Sequence, residues 1–191
     1  ALEVIFNGKA SWVDGFRINK QFSCMLCGIG FDAQVAHDFA KQTTRGLATY
    51  VKQTMRNFFS SPCYPFVIEI EDLKINTDAF FISIANSNQF GNQVTIAPKA
   101  SLSDGLLDIV IVNKMNRIRT LFSLLYQVSK GKVQEISPDM MYNKGVTYLQ
   151  TSSLRIQNPQ NAPLHIDGEP VDSSAVFDIQ IIPKAFNLLQ A

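Results

Sequence analysis

A chain of 191 residues with 46% hydrophobic content can bury one sizeable core, as a single large domain or a domain with a small appendage. A net charge of +1 with no Lys/Arg run offers no stripe for tracking phosphates, so nucleic acid is not an expected partner. No apolar run approaches the roughly 20 residues of a membrane-spanning helix, and three cysteines, an odd number, suit a reducing compartment.

The chain has neither an initiating Met nor a signal peptide and opens on a strand-like run, which predicts a piece cut from something longer. Leu2–Phe6 and Ser11–Val13 flank Asn7-Gly8, a hairpin signal. Asp14-Gly15 marks a second turn, Phe16–Asn19 a third short strand, and Gln21–Cys27 alternates Phe22, Cys24 and Leu26 on one side. The opening therefore reads as a β-meander. Cys24 and Cys27 form a CxxC, but no second pair completes a zinc site, and strand positions three apart face opposite sides. The plainer reading is two core thiols. His37 and His165 are isolated in sequence and make no metal case.

At Gly28-Ile29-Gly30-Phe31-Asp32-Ala33 the period changes. Val35, Phe39, Leu47, Tyr50, Val51, Met55, Phe58 and Phe59 recur at helical spacing, predicting helices at 32–41 and 46–59. The GxGxxA formally matches a dinucleotide fingerprint, but no acid follows about twenty residues on and no βαβ unit precedes it. A tight turn that brings backbone close to a ligand or the next strand is the alternative. Arg45, at the start of the second helix beside free N–H groups, could hold an anion or be an ordinary surface residue.

Pro65–Glu71 and Ile75–Ala85 pair across Asp72-Leu73-Lys74. Ala79–Ala85 and Leu106–Val112 are apolar runs that read as strands buried on both faces. About twenty residues rich in Asn, Gly, Ser and Pro separate them, a length often associated with function. Asp104-Gly105 ends that loop. Its carboxylate, with nearby carbonyls, could hold a hard cation, or the pair could be a plain turn. Asn116 caps a helix to about 130, with Ile118, Leu121, Phe122, Leu125 and Val128 on one face and Gly131 closing it. Residues 132–143 are polar, with Met140, Met141 and Tyr142, and read as a flap. Gly145–Gln150 and Leu154–Gln157 are strands. In Leu164–Pro170, Asp167-Gly168 forces a reversal, so Asp167 and Glu169 flank a hairpin tip ahead of a return strand, Ala175–Ile182. Two carboxylates at a rigid turn suit base chemistry or a cation; a solvated polar turn is the alternative. The predicted fold is mainly β: an antiparallel β-sandwich with about three helices, near 32–41, 46–59 and 116–130.

Four motifs occur in order: G-I-G-F-D-A before a helix; G-L-x-x-Y at a helix start; N-x-x-x-F-G-N-x-x-x-I-A-P-x-A-x-x-x-D-G-L-L-D; and I-D-G-E. Together they resemble the C-terminal domain of the diacylglycerol kinase and sphingosine kinase superfamily, in its soluble bacterial lipid kinase branch, from about residue 1 to 186. The resemblance implies a β-sandwich that follows an N-terminal α/β domain bearing a G-G-D-G-T loop for ATP, with the active site between the two. This sequence contains no G-G-D-G-T and no P-loop. It is therefore expected to be the lipid kinase C-terminal domain throughout, to lack the nucleotide-binding half, and to be inactive alone.

By the same resemblance Glu169 matches the base for the lipid hydroxyl, with Asp167 beside it. Asp104 matches the side-chain ligand of a structural Mg²⁺, with the carbonyls of Ser101 and Leu106 as further ligands. Arg45 falls where sphingosine kinases place a phosphate-contacting Arg. Asn92 and Gln93 stand where the family more often has glycines. The implied cofactors are ATP and Mg²⁺. The implied partners are a lipid substrate, the protein's own N-terminal domain and, transiently, a membrane surface, with a homodimer allowed and no nucleic acid. The expected setting is cytoplasmic, peripheral to the membrane. Two other readings remain open: a non-catalytic lipid-binding β-sandwich, and a dinucleotide or sugar kinase relative.

Overall fold

The structure, a computed structural model, describes residues 2–42, 47–88, 97, 99–113 and 145–190. Arg45, Asn92, Gln93, the predicted helix at 116–130 and the polar stretch 132–143 lie outside these residues. Among the described residues the elements are α1 (Leu2–Asn7), β1 (Lys9–Ile18), β2 (Gln21–Ser23), β3 (Leu26–Gly30), α2 (Phe31–Ala40), α3 (Leu47–Ser60), β4 (Tyr64–Ile70), β5 (Leu73–Ala85), β6 (Leu107–Asn113), β7 (Val146–Thr151), β8 (Ser153–Gln157), β9 (Leu164–Ile166), β10 (Glu169–Val171) and β11 (Val176–Gln190).

β5 organises the sheet. Its ladder with β6 shifts register between Ala79 and Phe81, and its two halves serve different neighbours. The first half pairs with β4, which leads on through β8, β11 and β1 to β2. The second half runs between β3 and β6, with β9 and β10 beyond β3 and β7 beyond β6. Every pairing is antiparallel. The result is one curled, sandwich-like sheet, as the turn-punctuated sequence predicts.

Both halves feed one core through the period-2 alternation of strands. Phe66 and Ile68 of β4, Leu154 and Ile156 of β8, and Phe177, Ile179 and Ile181 of β11 meet Ile82 and Ile84 of β5 and Leu107, Ile109 and Ile111 of β6. The opposite face of β6 buries Val110 and Val112 with Leu26, Ala85 and Ala97. β6 is thus covered on both sides, which is why Ile109–Val112 is continuously apolar. α2 lies over β3, β9 and β10, and α3 packs on α2. Where α2, α3 and β5 meet, Phe31 stacks on Phe80 with ring centroids 4.5 Å apart, and Phe58 meets both edge-on.

Five local expectations are corrected. Leu2–Phe6 is helical, not a strand. Its apolar residues Leu2, Ile5 and Phe6 are exposed, and Gly8 N–H donates to the Val4 carbonyl at the helix end. A strand needs a ladder partner, and β1 pairs with β11 only from Lys9 onward. Asn7-Gly8 is accordingly a helix exit. Asp14-Gly15 is not a turn: β1 runs straight through it with a bulge between Val13 and Gly15. Gln21–Cys27 breaks into β2 and β3 at Cys24-Met25, and the return strand runs on to Gln190.

Candidate active site

Glu169 is placed by a two-residue hairpin that the sequence predicts. Ile166 pairs with Glu169, leaving Asp167 and Gly168 as a two-residue loop with φ +50° and +87°. Two positive φ values are what a type I′ turn requires, and Asp-Gly supplies them at least strain. Glu169 shares the side of the ladder that carries Ile166 and Val171, yet it is exposed, because the strand begins there at the molecular edge.

Asp167 is anchored to the β2–β3 corner. Its Oδ1 accepts from Ser23 Oγ (2.7 Å), Met25 N–H (2.9 Å) and Leu26 N–H (3.0 Å). Its Oδ2 accepts from Cys24 N–H (3.0 Å) and Cys24 Sγ (3.4 Å), and its own N–H donates to the Leu26 carbonyl. Burial pushes this carboxyl up, but the donors of Cys24, Leu26, Ser23 and Met25 outweigh it and hold the group below the usual carboxylate range. Asp167 therefore ties the turn that precedes Glu169 to the β2–β3 corner.

The Asp104 loop has a different electrostatic character. Asp104 is exposed, and among the described residues its Oδ1 accepts only the Leu106 N–H two residues on, at 3.1 Å. Gly105, at φ +73°, turns its N–H to Oδ2 of Asp14 at 2.8 Å. Ser101 and Leu106 lie half-buried on either side. In β6, Asp108 is fully buried. Its Oδ1 accepts from Gln150, and its Oδ2 has no hydrogen-bond partner among the described residues. Burial raises its carboxyl to about 6; Gln150 pulls it back, the negative charge of Asp104 pushes it further up, and Lys99 draws it down. Among the described residues no three His, Cys, Asp or Glu side chains could hold a metal together. A cation here would lean on carbonyl oxygens, as the Ser101–Asp104–Leu106 spacing requires. The donor set is hard oxygen, and an uncompensated pair of carboxylates beside it fits Mg²⁺.

The two Asp-Gly sites, far apart in sequence, are joined by one network. Asn86, fully buried at the end of β5, donates through Nδ2 to the carbonyls of Cys24 and Asp14. Cys24 belongs to the corner that Asp167 holds. Asp14 holds Gly105 with one oxygen and Lys184 N–H with the other, at 2.8 Å each.

Sequence reasoning missed Asp14, Asn86, Asp108 and the His165–Asp32 pair. Asp108 did carry a signal, an acid inside a run buried on both faces. Of the two CxxC thiols, Cys27 is core, its pKa pushed well up first by burial, while Cys24 is half-buried and hydrogen-bonded to Asp167. No helix among the described residues is long and apolar enough to cross a membrane.

The fold defines a class: an antiparallel, β-sandwich-like sheet with helices packed on one end. The chain belongs to the family described as the YegS C-terminal NAD kinase beta sandwich-like domain, which matches residues 26–190. It is similar to a protein named probable lipid kinase YegS-like from Shewanella frigidimarina (strain NCIMB 400), at 24% identity over 98% of this chain and 58% of that protein. It is also similar to probable lipid kinase YegS from Escherichia coli O1:K1 / APEC, at 28% identity over 97% of this chain and 58% of that protein. A crystal structure described as a diacylglycerol kinase from Bacillus anthracis str. Sterne shares the fold, with TM-score 0.67 at 14% identity over 99% of this chain and 57% of that one. The chain thus spans well under two thirds of the length of these relatives.

Proposed function

We propose that this chain is the C-terminal, base-bearing portion of an ATP-dependent lipid kinase, with a nucleotide-binding domain supplied by the rest of the protein. The observation that carries the reading is the exposed Glu169 carboxylate on an Asp-Gly turn clamped by Asp167. The names of the relatives agree with it. Phosphoryl transfer asks for positioning, charge neutralisation and an acceptor for the hydroxyl proton. Glu169 accepts that proton as the lipid oxygen takes the phosphoryl group, and the clamped turn spares the carboxylate the cost of ordering.

Asp104, with the carbonyls of Ser101 and Leu106, would hold Mg²⁺, which when bound neutralises the Asp104–Asp108 repulsion and stiffens the loop. Arg45, the ATP phosphates, a membrane surface and a homodimer belong to the same proposal. The test is phosphorylation of a lipid panel (diacylglycerol, a sphingoid base, undecaprenol and phosphatidylglycerol) by the full-length protein with labelled ATP. Transfer to one lipid class by the full-length protein, and none by residues 1–191 alone, supports the reading. Lipid binding without transfer supports a binding module instead.

A further inference from the structure

A second buried pair sits beneath the turn that carries Glu169. We infer that Asp32 and His165 are positioning residues that lock this turn: Asp32 fixes the tautomer of His165, and His165 Nδ1 holds the Gly168 N–H. The inference rests on the reading of Glu169 as the base.

Three elements converge there. Asp32 lies in the first turn of α2, where a carboxylate is favoured, and its Oδ1 accepts the Ala33 N–H at 2.8 Å. Its Oδ2 lies 3.4 Å from Nε2 of His165, the middle residue of β9. Gly28 of β3 pairs with His165 across the ladder. A Cβ at Gly28 would collide with Asp32 Oδ2 and His165 Nε2, so the first glycine of G-I-G makes room for a side-chain pair and not for a pyrophosphate. Asp32 is 9% exposed and His165 1%.

The hydrogen bonding determines the tautomer. Gly168 N–H donates to His165 Nδ1 at 3.3 Å, so Nδ1 must offer a lone pair. The ring proton then resides on Nε2, where the Asp32 carboxylate faces it. A carboxylate that fixes an imidazole tautomer is a recurring positioning device. An apolar pair would fill this space at less desolvation cost, but it could not accept from Gly168. The two loop residues, both at positive φ, are thereby held from two sides: Asp167 by the β2–β3 corner and Gly168 by His165. Glu169 is the next residue.

The test uses the full-length protein. Nitrogen-15 NMR of His165, assigned by its loss in His165→Asn, should show a neutral ring protonated on Nε2 at pH 7. An Nδ1–H ring or an imidazolium would overturn the inference. Asp32→Asn keeps the shape but presents an amide donor to Nε2, forcing the proton onto Nδ1 against the Gly168 N–H. It should lower kcat roughly 10–100-fold, the range seen when an orienting partner is removed, with KM for lipid and ATP little changed. Asp32→Asn should add nothing to His165→Asn, since no tautomer is left to fix. A merely structural pair predicts additive losses in Tm with kcat retained, and that result would overturn the inference. Where Asp32→Asn fails to fold, two variants decide. His165→Asn keeps an acceptor near the Nδ1 position and should retain more kcat than His165→Gln; the reverse order overturns the inference. Wild-type kcat in Asp32→Asn with low kcat in Glu169→Gln removes the positioning role and leaves the base standing. Wild-type kcat in Glu169→Gln removes both.

Discussion

The chain contains two Asp-Gly reversals at the centre of its candidate chemistry, and they solve the same backbone problem with opposite electrostatics. At 167–168 the carboxylate is saturated by donors from Ser23 to Leu26 and is held below the usual carboxylate range. At 104–105 the carboxylate takes one local N–H, and the nearby Asp108 is raised to about 6 with one oxygen unpaired among the described residues. The first reversal is complete within the protein, and under the proposal it aims its neighbour. The second has negative charge to spare, which under the proposal a cation would offset. A residue pair that reads identically in sequence thus takes its role from donors far away in the chain.

The largest stability effect should come from the saturated site. Asp167→Asn keeps the left-handed backbone but gives up the charge that five donors converge on. It should cost about 2 kcal/mol, the scale of hydrogen bonds to an exposed charged group, or about 4–8 °C in Tm for a chain of this size. The Asp167 contribution is present above the usual carboxylate range and is lost as pH falls through its lowered pKa. Acid unfolding should therefore be shallower in the variant. An unchanged Tm at pH 7 would show that the clamp carries no weight.

At the unsaturated site, Asp104→Ala should cost less in the absence of metal, about 0.5–1 kcal/mol for one exposed local hydrogen bond. It should also abolish any rise in Tm on adding Mg²⁺. A Mg²⁺ response equal to wild type would return Asp104 to a plain turn. Asp108 gives an effect of similar size and opposite sign. A folded pKa raised to about 6 means the folded protein takes up a proton that the unfolded chain does not. Stability is then full below the usual carboxylate range and falls as pH rises through about 6. Asp108→Asn should flatten that window and raise metal-free stability at pH 7.5 by about 1 kcal/mol, once screening is allowed for. Mg²⁺ should flatten it in wild type by favouring the ionised form. A wild-type melting profile that is level between pH 4 and about 7 would contradict the assignment.

Much of the architecture was legible because it rests on local signals. The helices at 32–41 and 46–59 are observed at Phe31–Ala40 and Leu47–Ser60, and the turn at Asp167-Gly168 lies where its residues put it, while the hairpin predicted across Asp72–Lys74 turns earlier, at Glu71-Asp72, with Leu73 and Lys74 already paired in β5. What was not legible depends on partners distant in sequence. Asp14-Gly15 has the composition of a turn, but Asp14 is spent on Gly105 and Lys184, 91 and 170 residues away. Those bonds stabilise a bulge in an unbroken strand. The apolar Leu2–Phe6 run looks like a strand until β11 proves to be paired by β1 from Lys9. Glu169 and Asp167 stood out as paired acids at a turn, but the donors that set them apart come from Ser23–Leu26. His165 gave no sign, because a lone histidine between Leu164 and Ile166 has the pattern of core filling; only the Gly168 N–H and Asp32 give it a role.

The central claim is that the clamped turn exists to present Glu169 as a base, and kcat of Glu169→Gln in the full-length protein tests it most directly. The exposed position carries little packing, so stability should stay within about 0.5 kcal/mol of wild type. With folding intact, kcat should fall roughly 10²–10⁴-fold, the usual contribution of a general base, while KM for the lipid changes little. Wild-type turnover in that variant would remove Glu169 from the mechanism and leave the turn as structure alone.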